Sequence, residues 1–550
     1  MARRDGQHLD GQFDLLIIGG GITGAGAARD AARRGLKVAL IDQDDLASGT
    51  SSRSSKLVHG GLRYLEQGEF SLVFEAVAER RILQEIAPHL VNPLPFLFPV
   101  YDSSRRGVFS INVGMWLYDG LSLFRSPKIH KNLSVRDVRK VEPELRHSGL
   151  KGAPVYYDCA TDDARLTLET ALDGAANGAV IATHTRVTGF LRGEGGRIEG
   201  VQAVDLLTGE QLEVRASAVI NATGPWSDRT RGIDGHMTSD RLRPTKGVHI
   251  VIDAARLKLA HAVVGFHPDD GRVFFSIPWG ERTYIGTTDT DFQGDPGEVA
   301  ATSEDVDYLV GASGFYFPEV GLTREDVIST WAGVRPLISE EDANSESSVS
   351  REHLIRVDED GLITIAGGKL TTYRRMGAEV VDKAMDLLRI FGQRVSTKPA
   401  ETDVNPLPGA VGWPPDDDHE AVARQVHAAG SGAVEMDTAR LLANTYGMRG
   451  VDVAELAASD ASLAQRLVDG RPEILAQVVF GVERELAATV SDFFIRRSQL
   501  FYRDHDQGLS AVDAVAACMA ERLGWSAEFA AKSAEAYRTE VARSRAWQAG

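Results

Sequence analysis

Phe13-Asp14-Leu15-Leu16-Ile17-Ile18-Gly19-Gly20-Gly21-Ile22-Thr23-Gly24 is the stretch on which the reading of this chain turns. Phe13 to Ile18 is apolar after Asp14 and reads as a buried strand. Gly19 permits the tight turn out of it, Gly21 lets main chain approach a pyrophosphate, and Gly24 lets the next helix pack closely on the strand. That helix runs from about Ile22 to Arg34, is rich in alanine, and has Gly35 where a C-cap is wanted. Its N-terminus offers unpaired N–H groups and partial positive charge, a ready seat for phosphate. A second strand, Lys37 to Ile41, ends at Asp42, about twenty residues past the glycines, where a carboxylate takes ribose hydroxyls. Strand, glycine turn, helix, strand and acid in this order read as a dinucleotide site rather than a plain glycine loop.

Outward from this unit, residues 71 to 87 carry helical periodicity, and Pro88, Pro93, Pro95 and Pro99 then break the chain into extended pieces. From Val187 to Ile220 the pattern becomes short strands, with hairpin turns at Gly193 to Gly196 and at Thr208-Gly209. Residues 246 to 290 alternate like strands, and Leu362 to Ala366 feeds Gly367 and Gly368. Residues 401 to 416 read as a linker, with Pro406, Pro408, Pro414, Pro415 and an acidic run. Beyond it the pattern is helical, roughly 418–430, 436–446, 452–459, 472–500, 509–523 and 526–546.

Two further segments choose between dinucleotides. Leu46 to Lys56 is a run of small hydroxyl residues able to wrap a long cofactor. Ile220-Asn221-Ala222-Thr223-Gly224-Pro225-Trp226 closes a β-meander with a turn of the kind that returns the chain to FAD in glutathione-reductase-like folds. Gly367-Gly368-Lys369-Leu370-Thr371-Thr372-Tyr373-Arg374 follows a strand and opens another helix, whose N-terminus suits negative charge building on a flavin during reduction.

Lys56-Leu57-Val58-His59-Gly60-Gly61-Leu62-Arg63-Tyr64-Leu65-Glu66 adds a resemblance. With Tyr157 to Leu166, Lys246 to His249, Ile285 to Asp289 and Gly333 to Leu337, it resembles the FAD-dependent, quinone-linked glycerol-3-phosphate dehydrogenases, in order from residue 13 to about 380. The helical tail is similar to the C-terminal domain of that family. The resemblance implies an α/β fold: an FAD-binding Rossmann-like domain from 1–88, 148–240 and 330–400, an α+β substrate domain from 89–147 and 241–329, and an all-helical domain from 401–550. It implies oxidation of sn-glycerol 3-phosphate to dihydroxyacetone phosphate, with electrons passing to a membrane quinone. It places the flavin against Gly19, Gly20, Gly21, Ile22, Thr23, Gly24, Asp42, Gln43, Thr50, Ser51, Ser55, Lys56, Leu57, His59, Val187, Ala222, Thr223, Gly224, Gly368, Lys369, Leu370 and Thr371.

Chemistry then nominates the reacting groups. Hydride loss from C2 requires a base for the C2 hydroxyl proton, and a neutral imidazole does this near pH 7. His59 and His249 both qualify. The phosphate calls for cationic donors, Arg335 first, then Lys369, Arg63 and Arg374, with Tyr64 and Thr288 as hydroxyl donors. Lys369 also favours an anionic reduced flavin. Asp158, Asp162 and Asp163 read as structural, because acids beside a phosphate weaken its binding.

Composition bounds the partners. The 550 residues exceed one core, and a net charge of −18 repels nucleic acid. Two distant cysteines give no basis for a disulfide framework, zinc site or iron–sulfur cluster, and no metal is expected. No apolar run reaches the roughly 18 residues a membrane span needs. Residues 94 to 124 nevertheless gather Phe96, Leu97, Phe98, Val100, Phe109, Met115, Trp116, Leu117, Leu121 and Phe124, flanked by Arg105, Arg106, Arg125 and Lys128. They read equally as a surface dipping into lipid to meet a quinone, or as domain core or dimer contact. The expected setting is cytoplasmic, peripheral on the inner face of the membrane, as a homodimer. Alternatives with the same flavin fold are an oxidase passing electrons to oxygen, an amine or amino-acid oxidase, and a non-catalytic flavin sensor.

Overall fold

A computed structural model describes residues 9–61, 69–104, 107–121, 128–233, 235, 242–338 and 353–549. Gln12–Ile18 forms the middle of an eight-stranded sheet, paired in parallel with Val38–Ile41 on one side and with Gln211–Asn221 on the other. Val180–Ala182 extends the sheet beyond Val38–Ile41. Leu362–Gly367 and then His353–Val357 extend it beyond Gln211–Asn221. The hairpin Thr185–Arg192 and Ile198–Asp205 runs antiparallel onto the first half of Gln211–Asn221, which completes the meander.

The alanine-rich helix Ile22–Arg33 is buried almost throughout. Small side chains permit this, since the helix is covered by Asp163–Ala176 and Tyr373–Ile390 as well as by the sheet. A Cβ on Gly377 would come within 2.6 Å of the Gly26 carbonyl carbon, so these two helices cross backbone to backbone. Arg29 meets Asp173 at 2.6 Å and donates to the Thr402 and Asn405 carbonyls. The expected linker is therefore stitched to this domain, with Leu407 fully buried.

The second sheet has eleven strands and is mostly antiparallel. Its centre, Leu242–Asp253, pairs with Val327–Ile338 and with Arg282–Gly286. Alternation sorts its side chains: Val248, Ile250 and Ile252 pack into one core, while Val251 faces another with Trp331 and Tyr284. Among the described residues Val327–Ile338 pairs only in this sheet, so the division at 330 drawn from sequence falls inside a strand. Leu57–Val58 and Leu150–Thr161 also join it.

The tail is helical at His419–Ala429, Met436–Tyr446, Gly450–Ser459, Leu475–Glu485, Val512–Leu523 and Ala527–Ser544. The long helix read at 472–500 is broken: Leu486 turns left-handed, and a π-helical turn, Asp492–Arg497, and a short helix, Leu500–Arg503, follow. Phe493 and Tyr502 from this segment, with Tyr537 on Ala527–Ser544, share one core with Val251, Tyr284 and Trp331 of the second sheet. The chain between 94 and 121 divides. Phe96, Leu97, Val100 and Met115 are buried, whereas Val113, Trp116 and Leu117 on the helix Val108–Leu121 are exposed. The side chains of Phe109 and Leu121, and all of Arg105, Arg106, Phe124 and Arg125, lie outside what the structure describes. Among the described residues no helix is long and apolar enough to cross a membrane, and no group of metal ligands occurs.

Candidate active site

A cleft opens at the C-terminal ends of the parallel strands, where ligands settle in open α/β sheets. Gly19, Gly21, Ile22, Thr23, Asp42, Gln43, Thr50, Ser51, Val187, Ala222, Thr223, Gly224, Gly368, Lys369 and Leu370 all line it. Gly19 has φ +108, and a Cβ there would crowd the Ala222 carbonyl at 2.6 Å. A Cβ on Gly24 would overlap the Gly19 carbonyl oxygen. The helix Ile22–Arg33 has no side-chain cap and no acid in its first turn, so its end keeps a partial positive charge suited to an anion. Ile22 N–H donates to Ser51 Oγ at 2.9 Å, which joins the serine loop to the helix start. Asp42 accepts from Gly20 N–H at 2.6 Å and Asp44 N–H at 2.8 Å, and burial pushes its carboxyl up to about 6. A second uncapped helix start, also without first-turn acids, follows Lys369. An uncapped positive helix end, a close-approach glycine turn and a strand-end carboxylate fit a dinucleotide such as FAD.

Gly20, Gly24, Ser55, Lys56, Leu57, His59 and Thr371 do not line this cleft. Lys56 is buried, with Nζ 2.6 Å from Asp163 Oδ1 and over the rings of Trp331 and Tyr502. Leu57 packs in the second core. The main chain of His59 is held by Thr371: its N–H donates to Oγ1 at 3.1 Å, and Oγ1 donates to its carbonyl at 3.2 Å. Ser55 Oγ lies 3.0 Å from His249 Nε2.

His249 and Arg335 stand on adjacent strands and one face of the second sheet. The register pairs Thr245 with Arg335 and His249 with Trp331, whose rings stack at 4.7 Å between centroids. Gly286 opposite His249 and Gly247 beneath Arg335 leave room, because a Cβ at either would overlap those side chains. Burial, then the positive charges of Arg335 and Lys56, hold the His249 imidazole well below its usual pKa. It is therefore neutral at pH 7, and its Nδ1 has no hydrogen-bond partner among the described residues. The Arg335 guanidinium is set by Asp289 at 2.8 Å and Thr287 Oγ1 at 2.9 Å.

Other candidates are committed elsewhere. Thr288 Oγ1 accepts from Val248 N–H at 3.0 Å and is buried. Arg374 grips Glu79 through two nitrogens and reaches Thr402. Arg63 and Tyr64 lie outside the described residues. Asp158 takes Arg80, the Tyr118 hydroxyl at 2.9 Å and Gly60 N–H at 3.0 Å; Asp162 caps the helix Asp163–Ala176. Sequence reasoning missed Trp226, Thr185, Arg186, Pro336 and Met376 in the cleft wall, and Trp331 against His249. Trp226, two residues past the Ala-Thr-Gly turn, and Pro336, beside Arg335, had a local signal; the rest arrive only by folding.

The comparisons agree with this geometry. The family described as FAD dependent oxidoreductase matches residues 14–374, and the C-terminal domain of alpha-glycerophosphate oxidase matches 400–530. An aerobic glycerol-3-phosphate dehydrogenase of Staphylococcus haemolyticus (strain JCSC1435) is 40% identical over 94% of this chain and 92% of its own. One from Staphylococcus epidermidis is 39% identical over 97% and 94%. The X-ray structure of the glycerol-3-phosphate dehydrogenase from Bacillus halodurans complexed with FAD superposes with a TM-score of 0.81, at 34% identity, covering 98% of this chain and 96% of the other. An L-alpha-glycerophosphate oxidase from Mycoplasma pneumoniae shares the fold, at 18% identity, a TM-score of 0.54, and 72% and 100% coverage. This chain belongs to the FAD dependent oxidoreductase family, among its aerobic glycerol-3-phosphate dehydrogenases.

Proposed function

We propose that this chain binds FAD in the cleft and oxidises sn-glycerol 3-phosphate at C2 to dihydroxyacetone phosphate, passing the electrons on to a membrane quinone. The observation that carries the reading is a neutral, buried His249 beside the cationic Arg335 on one sheet face. Gly19 to Gly24 and the helix start would hold the pyrophosphate, Asp42 would take the adenosine ribose, and Lys369 with the second helix start would serve the isoalloxazine end. When bound, FAD supplies the two-electron acceptor for the hydride from C2.

His249 takes the C2 hydroxyl proton, so the carbonyl forms as hydride leaves. Ser55 and the Trp331 ring fix the imidazole plane, and burial keeps it unprotonated until that proton arrives. Arg335 receives the phosphate, its plane set beforehand by Asp289 and Thr287, which limits the ordering that binding requires. Lys369 and Arg63 add positive charge, with Tyr64 as a hydroxyl donor. His59, braced by Thr371, orients substrate. Arg374 and Thr288 act at one remove, joining helices and strands.

For the acceptor, exposed Phe70 and Phe74 on the helix Phe70–Ile86, with Val113, Trp116 and Leu117 on the helix packed against it, form an apolar face. That face suits the cytoplasmic leaflet and a lipid-soluble quinone. The same face serves a homodimer if lipid is absent.

Anaerobic addition of glycerol 3-phosphate to the FAD-loaded protein should bleach the flavin absorbance, and Arg335→Ala should raise the concentration required. No bleaching at saturating substrate sinks the proposal. Oxygen is the second reading, because the tail matches an oxidase domain. Stoichiometric peroxide that a soluble quinone analogue does not suppress would establish it.

A further inference from the structure

We infer that the π-helical turn Asp492–Arg497 of the C-terminal region is a positioning element for the cofactor, clamping two walls of the cleft that the sequence keeps far apart. The inference rests on FAD occupying the cleft as proposed above.

The first wall is the loop from Asp42 to Ser51. Gln43, Ser48, Gly49, Thr50 and Ser51 face the cleft. The loop is bound at its middle to the glycine turn, with Ala47, at φ +63, donating its N–H to the Gly20 carbonyl at 3.0 Å. Two residues earlier Asp45 points the other way and is fully buried. Both Arg496 and Arg497 close on its carboxylate. Successive side chains on a regular helix diverge by roughly 100°. Here the widened turn brings two consecutive guanidiniums onto one acid.

The second wall is Thr185 to Val187, at the start of the meander. His184, just before it, has φ +54, and its Nε2 lies 3.0 Å from Asp492 Oδ2. The other Asp492 oxygen accepts from Arg496 at 2.8 Å and from Thr489 Oγ1 at 2.7 Å. The two walls also touch directly: His184 N–H donates to the Asp44 carbonyl at 2.8 Å, and Thr185 N–H to the Asp42 carbonyl at 2.7 Å. Asp45, Arg496, Asp492 and His184 thus form one buried polar chain at the back of the two walls. None of the four lines the cleft. A buried network with paired charges holds its partners in one arrangement, and what it holds here is the cradle on both sides of Asp42.

The test titrates FAD into apoprotein and reads the dissociation constant from flavin fluorescence, with the apoprotein melting temperature measured beside it. His184→Asn removes one clamp while keeping a residue that tolerates positive φ. Arg496→Gln removes the other, and Arg496→Lys keeps the charge. Arg503→Gln is the control: it loosens the same region where it grips Glu281 on the second sheet, away from the cleft. Positioning predicts that His184→Asn and Arg496→Gln each weaken FAD binding about tenfold. Arg496→Lys should recover part of this, and Arg503→Gln should lower the melting temperature without weakening FAD. Parent-like FAD affinity in His184→Asn, or equal weakening in Arg503→Gln, overturns the inference. His184→Asn decides alone if Arg496→Gln does not fold. A parent protein that fails to take up FAD would instead overturn the proposed function.

Discussion

His249 shows how one residue acquires a chemical role from its surroundings. An imidazole in water titrates near 6.5, but this one is buried, stacked on Trp331 and flanked by Arg335 and Lys56. Its protonated form is disfavoured in the folded state, so the base persists well below pH 6.5. The acid limb of kcat/KM should therefore lie on that side, and His249→Asn should cost about 10²–10⁴-fold in kcat with KM little changed. The same shift destabilises the protein in acid: this contribution is complete above the unfolded pKa and is lost as pH falls below it. Asp42 shifts the other way, raised to about 6 by burial. Ribose hydroxyls donate to its ionised form. FAD affinity of the apoprotein should thus fall as pH drops through 6, and Asp42→Asn should flatten that profile in a fluorescence titration.

At the scale of elements, glycines set the approach distances. Gly24→Ala places a methyl in the Gly19 carbonyl, which the short strand-to-helix turn has no slack to relieve. Colourless protein after purification, with FAD affinity reduced by orders of magnitude, is the expected outcome. Gly247→Ala acts differently, because its methyl meets the end of a side chain, Arg335, and the Thr287 hydroxyl. FAD retention should stay at the parent level while KM for glycerol 3-phosphate rises; a parent-like KM would show that Arg335 has no part in holding the phosphate. The break at Leu486 is the element that periodicity could not reveal. Residues 472–500 are apolar at helical spacing, yet the chain turns there to place Arg496 and Arg497 against Asp45.

Across the whole molecule, the tail and the flavin-binding half are joined by buried charge. Arg165 forks onto Glu485, and Arg449 joins them at 3.1 Å. Glu485→Gln leaves two guanidiniums short of a partner in a dry interface and should cost about 3–5 kcal/mol, visible as a lowered thermal midpoint. The apolar face around Trp116 offers a test of a different kind. Fully burying one large side chain is worth about 1.5–3 kcal/mol. Trp116→Ser with Leu117→Ser should release the protein from lipid vesicles in a co-sedimentation assay, while turnover with a soluble dye acceptor is maintained. Unchanged sedimentation would move the proposed membrane contact elsewhere.

Gly19 to Gly24, Asp42, Ala222 to Gly224 and Gly368 to Leu370 were legible in the sequence because each stands in a short motif of glycine turn, strand end or helix start. Spacing alone therefore carries the cofactor cradle and its βαβ unit. His249 and Arg335 could be nominated from their residue types and surrounding motifs, but not related to each other. Only strand register puts them on one face, and only folding supplies the burial and the Arg335 and Lys56 charges that hold the imidazole neutral. The clamp on Asp45 and His184 had no local mark at all. It joins residues about three hundred or more positions apart, and charges so distant in the chain act on each other only once folding has excluded the water between them.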